Sequence, residues 1–262
     1  MGVIVGNIIA IYRKELQGYF ASPFAYIIAG IFWLLSGILF LRILLGVIGE
    51  AGFRDQMGMA LTIDVPYEVM VGFLGWLAVI ALFLLPMLTM GLYAEERKRG
   101  TLELLATSPV TNWAVALGKL LGVLTFVITM ALPLLVYEAI AFSAADPPMT
   151  PTLMLVGHLG FILMAAAILS LGMFVSTLTD STVLAAILTF ALIALLVILN
   201  WLAESVSGPV GDVLNHLSLL RHYGNLVQGV IDTSSLALFA SYILLGLFLT
   251  AQSIEVFRYQ RS

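Results

Sequence analysis

Residues 69–94 read VMVGFLGWLAVIALFLLPMLTMGLYA, and residues 95–109 continue EERKRGTLELLATSP. The first stretch carries no charge over a length that crosses a bilayer core, which takes about 20 apolar residues in a helix. The second opens with five consecutive charges. Their junction decides the fold class: an all-α membrane protein with a strongly polar segment attached directly to an apolar span.

Working outward, similar apolar stretches lie near 24–48, 67–93, 112–141, 152–178, 182–202 and 236–257, so six transmembrane helices are expected in one domain over 1–262. The fifth, within TVLAAILTFALIALLVILNWLA (182–203), is also free of charge, and a charge at mid-span would cost about 2.5–3.5 kcal/mol. Alternation with period two over about ten residues, the mark of a barrel strand, is missing. With 61% hydrophobic and 10% charged residues and a mean hydropathy of +1.10, the composition excludes an ordinary soluble domain. Zero cysteines exclude disulfides, thiolate metal sites and cysteine nucleophiles. Arg13 and Lys14 follow the first apolar residues rather than precede them, with no small-x-small site after them, so no cleavable leader is expected.

Charge sidedness sets the topology. If the N-terminus is cytoplasmic, Arg13, Lys14, Arg97, Lys98, Arg99, Lys119, Arg258 and Arg261 face inward, eight of eleven basic residues. Only Arg42, Arg54 and Arg221 fall toward the outside, among Glu50, Asp55, Asp64, Glu68, Asp146, Glu204, Asp212 and Asp232. The positive-inside rule then places both termini and the 95–109 loop in the cytoplasm.

Before the first span, NIIAIYRKELQGYFA (7–21) predicts an interfacial helix with Ile8, Tyr12, Leu16, Tyr19 and Phe20 on one side and Arg13, Lys14 and Gln17 opposite, Glu15 being a blemish on the apolar face. The alternative is a ragged extension of the first span. Ser22-Pro23 and Ser108-Pro109 are paired stop-and-restart signals: proline disfavours helix before it and fits the first helical turn, where serine caps exposed amides. TLTDST predicts a tight hairpin with Asp180 or Ser181 capping the fifth span. Leu214, Leu217 and Leu220, then Val227, Val230 and Ile231, recur at helical spacing, so one or two short helices are expected at the outer interface before the last span.

Chemical motifs are few. No G-x-x-x-x-G-K-[ST] loop, G-x-G-x-x-G, H-E-x-x-H or G-x-S-x-G occurs, so the chain is read as no enzyme, with no cofactor of its own. His158, in the outer half of the fourth span, reads as a neutral imidazole bonded to a neighbouring helix; His216 and His222, six apart, do not share a helix face as metal ligands would. Arg42 and Glu138 fall at similar depth inside the outer boundary and either pair or snorkel separately. Pro86 and Pro133 interrupt the second and third spans, kinks being the default reading.

Topology explains the basic residues of the loop but not Leu102, Leu104 and Leu105 outside the bilayer. With Gly100 as N-cap and Glu103 in the first turn, where a carboxylate favours the positive helix end by about 0.3–1 kcal/mol, TLELLAT predicts a short amphipathic helix that Ser108-Pro109 stops. Such a knob, flanked by charge, suits a groove on a soluble partner.

The segments YRKELQGYFASPFAYIIAGIFWLLSGILF, LTMGLYAEERKRGTLELLATSPVTNWAVALGKLLG and LSLLRHYGNLVQGVIDTSSLALFASYILLGLFLTAQSIEVFRY resemble permease subunits of ATP-binding-cassette exporters of the type-2 superfamily. They are most similar to the gliding-motility-associated branch, with nitrous-oxide-reductase-maturation permeases more distant. The E-E-R-x-x-G-T-L-E-x-L-x-x-S-P core carries the resemblance; the middle spans match in hydropathy alone. The resemblance implies an elbow helix, six spans, a cytoplasmic coupling helix after the second span and short outer helices before the sixth. It implies a coupling contact at Glu95, Glu96, Arg97, Gly100, Thr101, Leu102, Glu103, Leu105, Ser108 and Pro109, and an elbow carrying Arg13, Lys14 and Glu15. It further implies two cytoplasmic ATPase subunits that bind ATP and magnesium, a second permease copy or paralogue, and a prokaryotic inner membrane, with no nucleic acid involved. Three functions remain open: ATP-driven export; mechanotransmission to outer or periplasmic proteins without transport; and an ATP-independent channel or secondary transporter, the few polar residues in the spans suggesting a lipidic or amphiphilic cargo, or none crossing a wet pore.

Overall fold

The computed structural model describes residues 2–58, 64–101, 110–146 and 148–259, and every regular element among them is helical. In chain order these are α1 (Gly2–Ala21), α2 (Pro23–Gln56), α3 (Val65–Thr89), α4 (Ala94–Lys98), α5 (Asn112–Ser143), α6 (Pro151–Thr177), α7 (Thr182–Ser205), α8 (Pro209–Leu217), α9 (Leu219–Val227) and α10 (Thr233–Tyr259). Six stretches among the described residues are long and apolar enough to cross a membrane: α2, α3 with α4, α5, α6, α7 and α10. The all-α, six-span class expected from hydropathy is the class observed.

Helix starts follow local chemistry. Ser22 Oγ accepts the Ala25 N–H at 3.4 Å with Pro23 in the first turn, Asp64 accepts from Tyr67 at 3.2 Å with Pro66 beside it, and Ser181 accepts from Leu184 at 3.3 Å. The third span starts at Asn112 under a Thr111 cap, whose Oγ1 takes the Ala114 N–H at 3.4 Å; Ser108-Pro109 lies outside the described residues. α2 runs on to Gln56, beyond the expected end near 48, because Glu50 and Arg54 pair one turn apart and Arg54 suits the negative end of the helix.

α6 is the central helix and packs on α3, α5, α7, α9 and α10. Its small residues allow that approach: a Cβ built on Gly160 would lie 2.8 Å from Leu226 Cβ, and one on Gly172 2.5 Å from Thr89 Oγ1. α2 and α7 leave most of their apolar surface outside the bundle, as spans facing lipid do. Between α7 and α10 there are two short helices, joined at Ser218, whose hydroxyl accepts the Arg221 N–H and donates to Asn200 Oδ1 on α7. That joint breaks the leucine spacing across 214–220, so Leu219 is buried while Leu217 is exposed. Tyr223 of α9 donates its hydroxyl to the Leu74 carbonyl of α3 at 2.6 Å, tying this end of the bundle to the second span.

Candidate functional site

At the other end of α3 the apolar span breaks. Pro86 has no N–H, Thr89 bonds back onto its own helix, and residues 90–93 turn before α4 begins at Ala94. The break exposes amides that α6 satisfies: Ser176 Oγ accepts the N–H groups of Tyr93 at 3.1 Å and Ala94 at 3.0 Å, and donates to the Met90 carbonyl at 2.9 Å. One turn on, Arg97 donates to the Thr177 carbonyl at 3.1 Å. α4 is stopped by Gly100, at φ +69°, with the Gly100 N–H bonded to the Arg97 carbonyl and the Thr101 N–H to the Glu96 carbonyl. Gly100 thus closes the helix before it. The N-cap role expected of it depends on 102–107, which, with Leu102, Glu103, Leu105, Ser108 and Pro109, lie outside the described residues.

Beside this break sits a buried ammonium. Lys119 of α5 has a side chain only 2% exposed, and its Nζ lies 2.9 Å from each of Glu15 Oε1, Glu96 Oε1 and the Leu92 carbonyl. Three acceptors match its three hydrogens. The Tyr93 ring, 4.9 Å from Nζ, adds a cation–π contact. Lys14 completes a ring of alternating charge, 3.1 Å from Glu96 Oε1 and 3.4 Å from Glu15 Oε1. Burial pushes the Lys14 pKa down, but Glu96 and Glu15 together outweigh it and the pKa is raised. Burial, reinforced by the charges of Glu15 and Glu95, pushes the Tyr19 phenol up; its hydroxyl donates to the Leu88 carbonyl at 2.7 Å. The clamp therefore joins α1, the Leu92–Glu96 stretch and α5.

Close backbone approach makes it feasible. A Cβ on Gly118 would fall 2.8 Å from Ile11 Cβ, and one on Gly122 2.7 Å from Glu15 Cβ, so α1 lies in a groove that only glycine leaves open. Glu15, expected as a blemish on the apolar face, is instead turned into that face and paired, while Arg13 is exposed. The signal available for this was Gly118-x-x-x-Gly122 with Lys119 inside it. Ser176, equally silent in the sequence, is one of two serines in the fourth span. A cleft of about 580 Å³ opens beside the clamp, lined by Lys14, Glu15, Glu95, Glu96, Arg99 and Lys119 on its polar side. Glu95 and Arg99 pair one turn apart at 3.4 Å on the exposed face.

The structure does not bring Arg42 and Glu138 together. Arg42 is exposed on α2, whereas Glu138 is fully buried with Oε1 3.4 Å from His158 Nε2. Arg42 faces outward from α2 while Glu138 is turned into the core. His158 Nδ1 bonds to the Met154 carbonyl of its own helix, while Nε2 faces Glu138 of the neighbouring α5. His222 meets the backbone of His216 at 3.2 Å and the hydroxyl of Ser235 at 2.8 Å, and among the described residues no three His, Cys, Asp or Glu side chains converge on a metal position. Burial lowers the His222 pKa. A second, apolar groove of about 780 Å³ lies between α3, α7 and α9, lined by Val71, Phe83, Phe190, Ile193, Trp201 and Tyr223.

Six apolar spans, with a charged break after the second, mark a multi-pass membrane protein. Residues 66–249 match the family described as ABC-2 family transporter protein, and the chain belongs to that family. It is accordingly a permease component of an ATP-binding-cassette transporter, a class that partners an ATP-binding-cassette ATPase subunit. The matched residues include Glu96, Lys119 and Ser176 but not Glu15. Among curated proteins no match was found.

Proposed function

We propose that this permease couples ATP hydrolysis on a separate ATPase to export, and that residues 95–109 are the contact through which the coupling passes. The observation that carries the reading is the Lys119 clamp. It binds α1, the 92–96 stretch and α5 into one charged unit directly before 102–109, so a push on that segment moves the second and third spans and the N-terminal helix together. In this reading two copies of the ATPase hold ATP and magnesium, since this chain has no phosphate loop, and a second permease copy or paralogue completes the path. Both termini and the clamp face the cytoplasm, by the sidedness of the basic residues, and the family resemblance makes the membrane a prokaryotic inner one. The chain sits in the gliding-motility-associated branch on its E-E-R-x-x-G-T-L-E motif, and the apolar groove between α3 and α7 favours an amphiphilic cargo.

The experiment is co-expression with the ATPase. Glu103→Arg and Leu102→Asp should insert normally yet lose copurification or stimulated hydrolysis; wild-type values of both in both variants would remove the coupling assignment. A second reading, mechanotransmission without transport, draws on the Tyr223–Leu74 bond: α3 carries the clamp at one end and holds the short helices at the other, so its movement reaches outer proteins directly. Directional substrate movement in reconstituted complex separates the two.

A further inference from the structure

Glu138 on α5 and His158 on α6 lie toward the end of the bundle opposite the Lys119 clamp, 0% and 2% exposed. Neither oxygen of Glu138 receives a hydrogen bond from any of the described residues, and Oε1 is 3.4 Å from His158 Nε2. His158 Nδ1 is 3.0 Å from the Met154 carbonyl, so Nδ1 carries a hydrogen and Nε2 is the nitrogen left facing the carboxyl. Among the described residues neither group forms an ion pair other than the one with the other. The titratable groups close enough to sense Glu138 are the phenols of Tyr137, on α5, and Tyr223, from α9, and the latter already donates to Leu74. Arg42 of α2 is exposed and forms no ion pair with Glu138.

A carboxylate without donors in such a place is strongly disfavoured, and so is an imidazolium without a counter-charge. Two arrangements remove both penalties: a neutral carboxyl donating to Nε2, or an imidazolium donating to the carboxylate. They share one composition, a net-neutral pair holding one proton. We infer that Glu138 and His158 form a one-proton binding site that latches α5 to α6. The proton is taken from water onto Nε2 or a carboxyl oxygen, and it leaves to water when the two helices part and solvent enters. α5 carries Lys119 at its other end, so the latch acts on a helix that the clamp also holds. The site needs no ATPase, so its test can fail while the coupling reading stands, and the reverse.

The proton count gives the test. Unfolded, the pair holds no proton above about pH 6.5 and one between about 4.3 and 6.5. Folded, it holds one in both ranges. Stability from the pair is then fully present and flat with pH between the two values, and must fall as pH rises above about 6.5. The thermal midpoint of the purified full chain in nanodiscs is measured from about pH 6.5 to about pH 9 for wild type, Glu138→Gln and the doubly apolar Glu138→Leu/His158→Leu. The expected result is a falling midpoint in wild type relative to both variants. His158→Leu alone, which strands the carboxylate, should accumulate poorly, with recovery in the double variant. Parallel profiles for wild type and Glu138→Gln would overturn the site; should Glu138→Gln fail to fold, a double variant parallel to wild type would do the same. A His158→Leu protein as stable as wild type would also overturn it.

Discussion

Lys119 Nζ stands 2.9 Å from Glu15 Oε1 across 104 residues of chain, and the same nitrogen stands 2.9 Å from Glu96. Removing the lysine strands two carboxylates against each other with only the exposed Lys14 to serve them. Breaking a buried ion pair by deleting one partner costs about 3–5 kcal/mol, whereas replacing all members with neutral groups is far milder. Lys119→Met should lower the thermal stability of the purified chain by that order, and Lys119→Met/Glu15→Gln/Glu96→Gln should restore most of it. Equal losses in both would mean the lysine acts through packing alone.

Gly118 and Gly122 admit α1 to the face of α5. Alanine at Gly122 meets Glu15 Cβ at 2.7 Å, and overpacking of this kind costs about 1–3 kcal/mol. Since about 1.4 kcal/mol is tenfold in an equilibrium, Gly122→Ala should raise the open fraction of α1 roughly tenfold. Trypsin cleavage after Arg13 and Lys14 reads that fraction directly, and an unchanged rate would show that α1 tolerates the added carbon.

Ser176 supplies the only partners observed, among the described residues, for the Tyr93 and Ala94 amides at the break in the second span. Ser176→Ala leaves them unsatisfied in a buried place, at about 1–3 kcal/mol per group. The loss should appear as a lower denaturation midpoint, with a smaller loss for Ser176→Cys. A neutral alanine variant would mean that the turn at 90–93 rebuilds its own bonds.

His222 gives a pH dependence of definite sign. Burial lowers its pKa in the folded chain, so the unfolded chain takes up a proton first as pH falls below about 6.5. Its contribution is intact above that value and is lost as pH falls through the folded pKa. His222→Gln should be flatter than wild type on the acid side only; identical acid limbs would remove His222 as the cause.

The spans and two of their caps were legible because apolar length and a serine just before an apolar run are local signals, as at Ser22-Pro23 and Ser181. The clamp was not, because Glu15, Glu96 and Lys119 meet only after α1, α4 and α5 have packed. Each alone reads as ordinary interfacial charge. Arg42 and Glu138 show the same limit from the other side: position along a span fixes depth, but at 3.6 residues per turn a small error in phase turns a side chain from core to lipid. The third span is capped by Thr111, a polar residue the sequence reading did not single out.

Because the chain has no cysteine, Thr101→Cys places a single thiol at the last described residue before 102–109. Labelled there with a photoreactive maleimide and followed through ATP turnover beside its ATPase subunit, the permease should form an adduct with the ATPase whose yield changes with nucleotide. Adducts with lipid or water alone at every stage would contradict coupling through this segment.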